Sequence, residues 1–371
     1  MYDVETILRE PLLLEPLRRS VQQGAPPLFL RSVKIKVTAR CNLRCVMCKY
    51  GKGWAPPELE GARFESLMQE LADLGCRKVH FSGGEVLARR DFEGIAAHAA
   101  TAGMKVALTS NLTLLTKDRA KALMRHKISS VSTSLDGGDA KTHERVRGVP
   151  GAFKKTLDGM KYLARERARR NRRTRVRVNF VMMRQNFRSY PEVIRVAMEQ
   201  GATEIHPMPV DTKSDELRLS KRLIREYNEQ IAPRVLELRQ HYGISTTDAF
   251  VYPFGQHRLH VVQSADGHYA GGYYRKNLCY APYSHMFVAW NGDVFLCCMT
   301  NGRIEPLGNV GTQSAREVFM GPAFEQIRRG MEAARLPACH ACDMFLKENR
   351  SLATELGGPQ LPAQAPSSSI A

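Results

Sequence analysis

Short apolar runs alternate with amphipathic segments from residue 33 to about residue 210. The strand-like runs lie at 33–37, 78–82, 105–109, 130–135, 175–182 and 204–208. The segments with apolar residues at helical spacing lie at 62–74, 91–102, 116–125, 152–168 and 190–200. This alternation predicts parallel strands joined by right-handed helical crossovers. The six predicted units are fewer than the eight of a closed barrel.

Glycines support the predicted helix ends. Gly75, Gly103 and Gly201 stand just past three of the helices, where a left-handed residue commonly ends a helix. A long helix is predicted over 219–241, and the following residues 242–278 are rich in Gly, Tyr and His without a clear period.

A β-hairpin is predicted over residues 285–297, because Asn291 and Gly292 separate two apolar runs. A helix near 314–330 follows. The last residues are rich in Pro, Ala, Gln and Ser, a composition typical of disorder. The predicted organisation is an extension (1–30), an α/β core (31–242), a small second domain (243–350) and a disordered tail (351–371).

Composition narrows the possible cellular setting. None of the 371 residues belongs to an apolar stretch long enough for a membrane span, and the acidic N-terminal residues are not a secretory signal. Nine cysteines, some at C-x-x-C spacing, therefore predict metal ligation in a reducing cytoplasm rather than disulfides.

The net charge of +18 is concentrated in an arginine-rich segment at 165–177. Such charge attracts nucleic acid or another anionic partner, or forms a solvated surface. No aromatic residues are interleaved with these arginines, which argues against a nucleic-acid partner.

Three cysteines follow the first predicted strand at C-x3-C-x2-C spacing: Cys41, Cys45 and Cys48. Three thiolates can hold three irons of a cubane cluster and leave the fourth iron open, whereas electron-transfer clusters take four cysteines. The alternative is a zinc site, which needs a fourth ligand, and His80 on the next strand could supply it.

Small and polar residues stand at the ends of the following strands, where parallel-strand folds bind ligands. They are Ser82, Gly83, Gly84, Glu85, Ser110, Asn111, Ser134 and Asp136, with Asn179 on the fifth strand. Two adjacent glycines allow close approach of the backbone to a ligand. Taken alone, each of these short motifs is also an ordinary turn.

Four cysteines in the second domain can ligate a complete cubane: Cys279, Cys297, Cys339 and Cys342. A four-cysteine zinc site is the alternative. Cys298 beside Cys297 could be the true ligand, a buried thiol or a hydrogen-atom donor.

Taken in this order, the motifs resemble the radical SAM superfamily with a SPASM/twitch extension, over about residues 31–346. The resemblance implies a partial (β/α)6 barrel followed by a small α+β SPASM/twitch-like domain with a β-hairpin and cluster loops. It implies that the first three cysteines hold a [4Fe-4S] cluster at which S-adenosylmethionine (SAM) binds. It places residues 82–85 at the methionine amino group, and Ser134 and Asp136 at the ribose and methionine carboxylate. The family often has an aromatic residue where this chain has Met47.

The resemblance also implies the chemistry. An external one-electron donor of the flavodoxin or ferredoxin type reduces the cluster, SAM is cleaved, and the 5′-deoxyadenosyl radical removes hydrogen from an unactivated carbon. No cysteine follows Cys342, which is typical of the shorter twitch version with one auxiliary [4Fe-4S] cluster. That cluster would accept or conduct an electron, making the net reaction an oxidation.

Two substrate classes fit an enzyme of this kind. The segment before Val33 is too short for the leader-binding domain that peptide-modifying members often carry, which favours a small polar metabolite in natural-product biosynthesis. Basic charge favours an acidic ribosomally made peptide or an RNA. A non-catalytic iron–sulfur redox protein is a further class, and the open-iron triad followed by Gly83, Gly84 and Glu85 argues against it.

Overall fold

The computed structural model describes residues 4–23, 27–51, 53, 56–330, 336–340, 342 and 346–357. The strands are β1 (Ser32–Thr38), β2 (Lys78–Gly83), β3 (Lys105–Thr109), β4 (Ser130–Ser134), β5 (Arg175–Met182), β6 (Glu204–Pro209), β7 (His285–Val288) and β8 (Val294–Phe295). The helices of the α/β region are α1 (Val4–Arg9), α2 (Pro11–Gln23), α3 (Gly61–Asp73), α4 (Phe92–Thr101), α5 (Lys117–Arg125), α6 (Ala140–Arg147), α7 (Ala152–Arg169), α8 (Tyr190–Glu199), α9 (Lys221–Glu226) and α10 (Ala232–His241). The later helices are α11 (Asp248–Val251), α12 (Arg258–Ala265), α13 (Tyr273–Lys276), α14 (Ala315–Phe319), α15 (Pro322–Gly330), α16 (Pro337–His340) and α17 (Leu346–Leu356).

The strands form one sheet in the order β6-β5-β4-β3-β2-β1-β7-β8. Neighbours from β1 to β6 pair in parallel, as the alternating pattern predicts. β7 joins the other side of β1, also in parallel, and pairs antiparallel with β8. The predicted hairpin is therefore part of the main sheet rather than a separate structure.

The two faces of the strands differ in character. On β1, Val33, Ile35 and Val37 are buried, whereas Lys34 and Lys36 on the opposite face are only partly buried. The apolar face belongs to the core shared with the helices. The other face of the sheet is polar, which suits a binding surface better than a packed core.

Three sequence-based predictions need correction. The hairpin loop is one residue longer than a two-residue turn, because the Ala289 amide donates to the Asp293 carbonyl (2.8 Å) and Trp290 lies inside the loop. Gly292 takes the left-handed conformation (φ 90°) that such a loop requires. The long helix at 219–241 contains a π-helical turn at Tyr227–Ile231. The predicted disordered tail is helical in its first residues, since α17 continues to Leu356.

Residues 358–371, the rest of that tail, lie outside the described residues. Within the part of the chain that the structure describes, no helix is both long enough and apolar enough to cross a membrane.

Candidate active site

A cavity of about 640 Å³ opens at the carboxyl ends of the parallel strands. The predicted site residues that line it are Cys41, Cys45, Cys48, Ser82, Gly83, Gly84, Ser110, Asn111 and Ser134. The structure thus brings together residues from the cysteine loop and from the ends of β2, β3 and β4. The cavity therefore needs residues from several motifs that are far apart in the sequence.

The cysteine loop is held by backbone hydrogen bonds to its neighbours. The amides of Arg44 and Val46 donate to the carbonyls of Arg147 and Val146, both at 3.0 Å, so the end of α6 supports the loop. The Glu85 amide donates to the Arg40 carbonyl (2.8 Å) from the other side. The loop is therefore positioned by backbone contacts with the ends of α6 and β2.

Gly83 and Gly84 were expected to let the backbone approach a ligand closely. In the structure, the close approach is between two parts of the protein backbone. A Cβ atom on Gly84 would lie 2.2 Å from the carbonyl oxygen of Arg40, and one on Gly83 would lie 2.5 Å from that of Thr38. Neither distance is compatible with a real side chain. These glycines thus let β2 pack directly against the cysteine loop while also lining the cavity.

Glu85 lies behind the cavity wall and is fully buried. Its carboxylate accepts hydrogen bonds from the Ser110 hydroxyl (2.6 Å), the Asn111 amide (2.6 Å) and the Leu87 amide (3.0 Å). Burial raises the pKa of Glu85, and these hydrogen bonds oppose the rise. Glu85 therefore positions the two predicted site residues at the end of β3.

Asp136 is also buried behind the cavity and pairs with Arg147, which the sequence analysis missed. The Asp136 carboxylate lies 2.5 Å from the Arg147 guanidinium and accepts from the Val181 amide at 2.8 Å. Burial raises the pKa of Asp136, and Arg147 opposes that rise. Arg147 lines the cavity and donates to the Cys45 sulfur (3.5 Å). Arg147 ends α6, a polar helix that the sequence pattern does not predict, so nothing in the sequence marked this arginine as a site residue.

Ser82 provides a direct test of whether the cavity suits a polar cofactor. Its hydroxyl is buried, lines the cavity and has no hydrogen-bond partner among the described residues. Buried polar groups are normally satisfied, so this oxygen calls for a polar ligand. Three thiols at one end of the cavity are the donor set that an iron–sulfur cluster takes. The residues present therefore fit SAM and its cluster, whereas Asn179 is not among the residues that line the cavity.

The C-terminal cysteines form a second group, apart from the first cysteine loop. Cys279, Cys339 and Cys342 pack with Tyr273 and Tyr274 in one apolar cluster. Burial raises the pKa of Cys339 to about 12, and nearby Cys279 adds to that rise. A thiol with a raised pKa keeps its proton at neutral pH. It must release that proton when it binds a metal, so metal binding at this site is coupled to proton release.

Cys297 and Cys298 lie in different surroundings. Cys297 is buried beside Cys279, and its pKa is raised by burial and then by Cys298 and Cys279. Cys298 instead packs near Tyr50 and Cys48, on the side of the first cysteine loop. This arrangement favours Cys297 over its neighbour as the fourth ligand. Cys298 does not line the cavity, which weakens its candidacy as a hydrogen-atom donor.

Among the described residues, no three His, Cys, Asp or Glu side chains converge closely enough to hold one metal ion.

Comparison with known protein families identifies both parts of the chain. Residues 35–197 match the radical SAM superfamily, and residues 279–343 match the SPASM family, described as an iron–sulfur cluster-binding domain. The chain thus carries a radical SAM domain followed by a SPASM domain. The predicted family and the prediction of an enzyme are thereby confirmed, and so is the fold class, a mostly parallel sheet with helices that is consistent with a partial barrel, followed by a SPASM domain. SAM with its [4Fe-4S] cluster and an auxiliary iron–sulfur site follow as the cofactors of these two domains.

Named relatives within the radical SAM superfamily share part of the sequence. An AdoMet-dependent heme synthase from Methanosarcina barkeri is 33% identical over 178 residues, which are 47% of this chain and 49% of that protein. A PqqA peptide cyclase from Bradyrhizobium diazoefficiens is 30% identical over 200 residues, 52% of this chain and 49% of that protein. The chain thus spans about half the length of the curated relatives it matches.

The fold is shared over a longer region. The crystal structure of Streptococcus suis SuiB bound to S-adenosylmethionine superposes with a TM-score of 0.63, covering 89% of this chain and 74% of SuiB at 18% identity. Likeness at this low identity concerns the fold alone.

Proposed function

We propose that this protein is a radical SAM enzyme that carries out an oxidative modification of a ribosomally made peptide. The observation that carries the chemistry is the cavity in which three thiols face the ends of β2, β3 and β4. When bound there, SAM and its cluster supply a radical that removes hydrogen from an unactivated carbon.

The chain's own residues contribute binding and orientation. We assign Cys41, Cys45 and Cys48 as cluster ligands, and Ser82 as a hydrogen-bonding group for SAM, because its hydroxyl is buried and unpartnered in the described structure. Arg147 is fixed by Asp136 and donates to the Cys45 sulfur, which orients that ligand. Ser110 and Asn111 are held in place by Glu85.

The auxiliary site supplies a second redox function in this proposal. Cys279, Cys297, Cys339 and Cys342 would hold one [4Fe-4S] cluster that accepts the electron released by the oxidised substrate. The grouping of Cys279 with Cys339 and Cys342, and the nearness of Cys279 to Cys297, support this ligand set. An external electron carrier of the flavodoxin or ferredoxin type would supply the electron that reduces the first cluster.

Among the named relatives, the PqqA peptide cyclases support a peptide as the proposed substrate class in place of the small polar metabolite that the sequence analysis favours. The PqqA peptide cyclases match this chain at 30–32% identity. A site divided between two adjoining cavities, the second of which is described below, also suits an extended chain better than a compact metabolite. A ribosomally made peptide is therefore the substrate we propose.

The proposal is tested in two steps. Anaerobically reconstituted protein with a strong reductant should convert SAM to 5′-deoxyadenosine, as measured by liquid chromatography. The protein should then be co-expressed with any short peptide encoded by a neighbouring gene, and the peptide examined by mass spectrometry for loss of hydrogen. SAM cleavage without any change in that peptide, but with a change in an added sugar or tetrapyrrole, would reject the peptide assignment.

A further inference from the structure

A second cavity of about 350 Å³ adjoins the first beside β6, the edge strand of the sheet. Pro207 and Pro209 line both cavities, so the two meet across the end of this strand. Prolines are tolerated in strands at sheet edges, because no further ladder hydrogen bond is needed there. A ligand that occupies the second cavity would therefore lie next to the predicted reaction centre.

Most of the second cavity is built from residues 248–271. This segment lies between the two parts of the chain that match known families, residues 35–197 and 279–343. The shared chemistry of the superfamily resides in the matched parts. The intervening segment is thus where features specific to this chain's own substrate are expected.

Internal hydrogen bonds hold the cavity walls in place. The Asn228 amide group donates to the Gly255 carbonyl, the Ser264 hydroxyl to the Phe254 carbonyl, and the Tyr269 hydroxyl to the Val210 carbonyl, each at 2.9 Å. The cavity is therefore preformed, as ligand sites usually are.

The polar groups around the cavity favour a negatively charged ligand. Arg350 of α17 lines it; this exposed guanidinium lies over the Tyr273 ring (5.4 Å), and none of the described carboxylates lies within ion-pair distance of it. The Nδ1 atom of His268 is buried and lacks a hydrogen-bond partner among the described residues. Asp248, which is exposed, is the one acidic residue among the described residues that line the cavity. Both residues line the same cavity, and a carboxylate is a group that can accept hydrogen bonds from a guanidinium and from an imidazole N–H.

The remaining walls suit a peptide chain. Tyr252, Pro253 and Phe254 provide apolar and aromatic surface, and Gln263 provides an amide that can both donate and accept hydrogen bonds. Apolar walls with a few placed polar groups are typical of sites that fix the orientation of a ligand.

We propose that this second cavity is the subsite for the peptide segment adjoining the reacting residue, and that this segment carries a carboxylate side chain. The inference rests on the proposed function. It adds a substrate charge and a location, with Arg350 and His268 as specificity-determining residues. The net charge of +18 helps to attract such an acidic peptide.

The test measures binding without turnover. Reconstituted protein with SAM is titrated calorimetrically with an acetylated, amidated octapeptide that alternates glutamate and alanine, and with the glutamine and lysine versions of that peptide. We expect saturable one-to-one binding of the glutamate peptide, roughly tenfold weaker binding of the glutamine peptide and none of the lysine peptide. Arg350→Gln and His268→Ala should each weaken binding of the glutamate peptide by about tenfold.

Arg173→Gln is the matched control, because this exposed arginine belongs to the basic segment away from the cavity and its loss changes the net charge equally. It should leave the affinity unchanged within about twofold. A photo-reactive benzoylphenylalanine in the glutamate peptide should cross-link to residues 248–271. Equal weakening by Arg173→Gln, or cross-links confined to residues 165–177, would show charge attraction alone and overturn the inference.

The outcomes separate this inference from the proposed function. SAM cleavage by reductant should be the same in Arg350→Gln, His268→Ala and the parent protein, which also shows that both variants are folded. Normal SAM cleavage without saturable glutamate-peptide binding would reject the subsite alone. Absence of SAM cleavage in the parent protein would reject the radical chemistry, whatever the peptide does.

Discussion

Single residues at the site act mainly by fixing one another. Glu85 joins the end of β2 to Ser110 and Asn111 at the end of β3, and Arg147 joins Asp136 to the cysteine loop. These buried charges are costly unless paired and hydrogen-bonded, so each is placed by several partners at once. The residues that touch the cavity are thus oriented by others that do not.

Gly84→Ala tests the closeness of β2 and the cysteine loop. A Cβ atom would lie 2.2 Å from the Arg40 carbonyl oxygen, so either the loop or the strand end must shift. We expect SAM affinity to fall by about tenfold or more, measured by calorimetric titration, while auxiliary iron is retained. The control is Gly94→Ala within α4, where the nearest atom is the flexible Glu65 carboxylate at 3.3 Å. That change should be neutral or stabilise by up to ~1 kcal/mol. Unchanged SAM affinity in Gly84→Ala would contradict the tight packing.

Replacing Cys41, Cys45 and Cys48 together with Ala should abolish SAM cleavage. The reason is that these thiols are the proposed ligands of the cluster that leaves one iron open for SAM. Auxiliary iron should remain, because its proposed ligands lie in a separate group. Iron analysis and chromatography of 5′-deoxyadenosine measure the two effects. Continued release of 5′-deoxyadenosine by this variant would make the assignment wrong.

At the level of elements, the strands and helix ends that depend on a local sequence pattern were predictable. Six strands were recognisable because each is a short apolar run, and Gly75, Gly103 and Gly201 adopt the left-handed conformation expected after a helix. Helix α6 was missed because its eight residues are mostly polar and carry no apolar stripe. Its ends did hold a signal, since Asp139 caps its first turn and Gly148 is left-handed at its end.

Contacts between distant segments could not be predicted in the same way. The parallel pairing of β7 with β1 joins residues far apart in the chain, and a strand's sequence does not say which neighbour it will have. The burial of Asp136 with Arg147 likewise depends on where α6 packs. Of the candidate site, nine lining residues were predictable from motifs, whereas Arg147, the burial of Glu85 and Asp136 behind the cavity, and the second cavity were not.

The pairing of β7 with β1 makes stability depend on pH. Burial lowers the pKa of His285, which lies on β7 and hydrogen-bonds the Ser32 hydroxyl (2.8 Å), to about 3. Between this value and about 6.5, the unfolded chain binds a proton that the folded chain does not. The stability is therefore fully present above about pH 6.5 and is lost as the pH falls.

We expect the free energy of unfolding of the cluster-free protein to fall between pH 7 and pH 5, with a contribution of ~2 kcal/mol from His285. Urea denaturation at both pH values measures it. His285→Gln keeps a hydrogen-bonding side chain but cannot titrate, so its loss of stability over the same interval should be smaller by that amount. An identical pH dependence in the variant would refute the role of this histidine.

At the scale of the whole molecule, the two cysteine groups approach each other at one short segment, Cys297 and Cys298. Cys297 lies with Cys279, and the next residue, Cys298, lies towards Cys48 and Lys36. The hairpin strand β8 leads into this segment and belongs to the same sheet as β1, which the first cysteine loop follows. The two proposed clusters are thus held by one continuous framework.

Removing the auxiliary site should separate radical formation from product formation. Reconstituted protein should hold about eight irons, four for each cubane, and little zinc. Cys339→Ala combined with Cys342→Ala should lose about half the iron. SAM cleavage should continue, because the first cluster is complete, but the modified peptide should not form. Stoichiometric zinc, about twelve irons, or full peptide modification in the double variant would each count against this account.

The position of β7 also has a consequence for how the protein is made. β1 emerges from the ribosome early, yet one of its two edges stays open until His285–Val288 has been synthesised. An open strand edge invites pairing with other chains, so the nascent protein passes through an aggregation-prone stage.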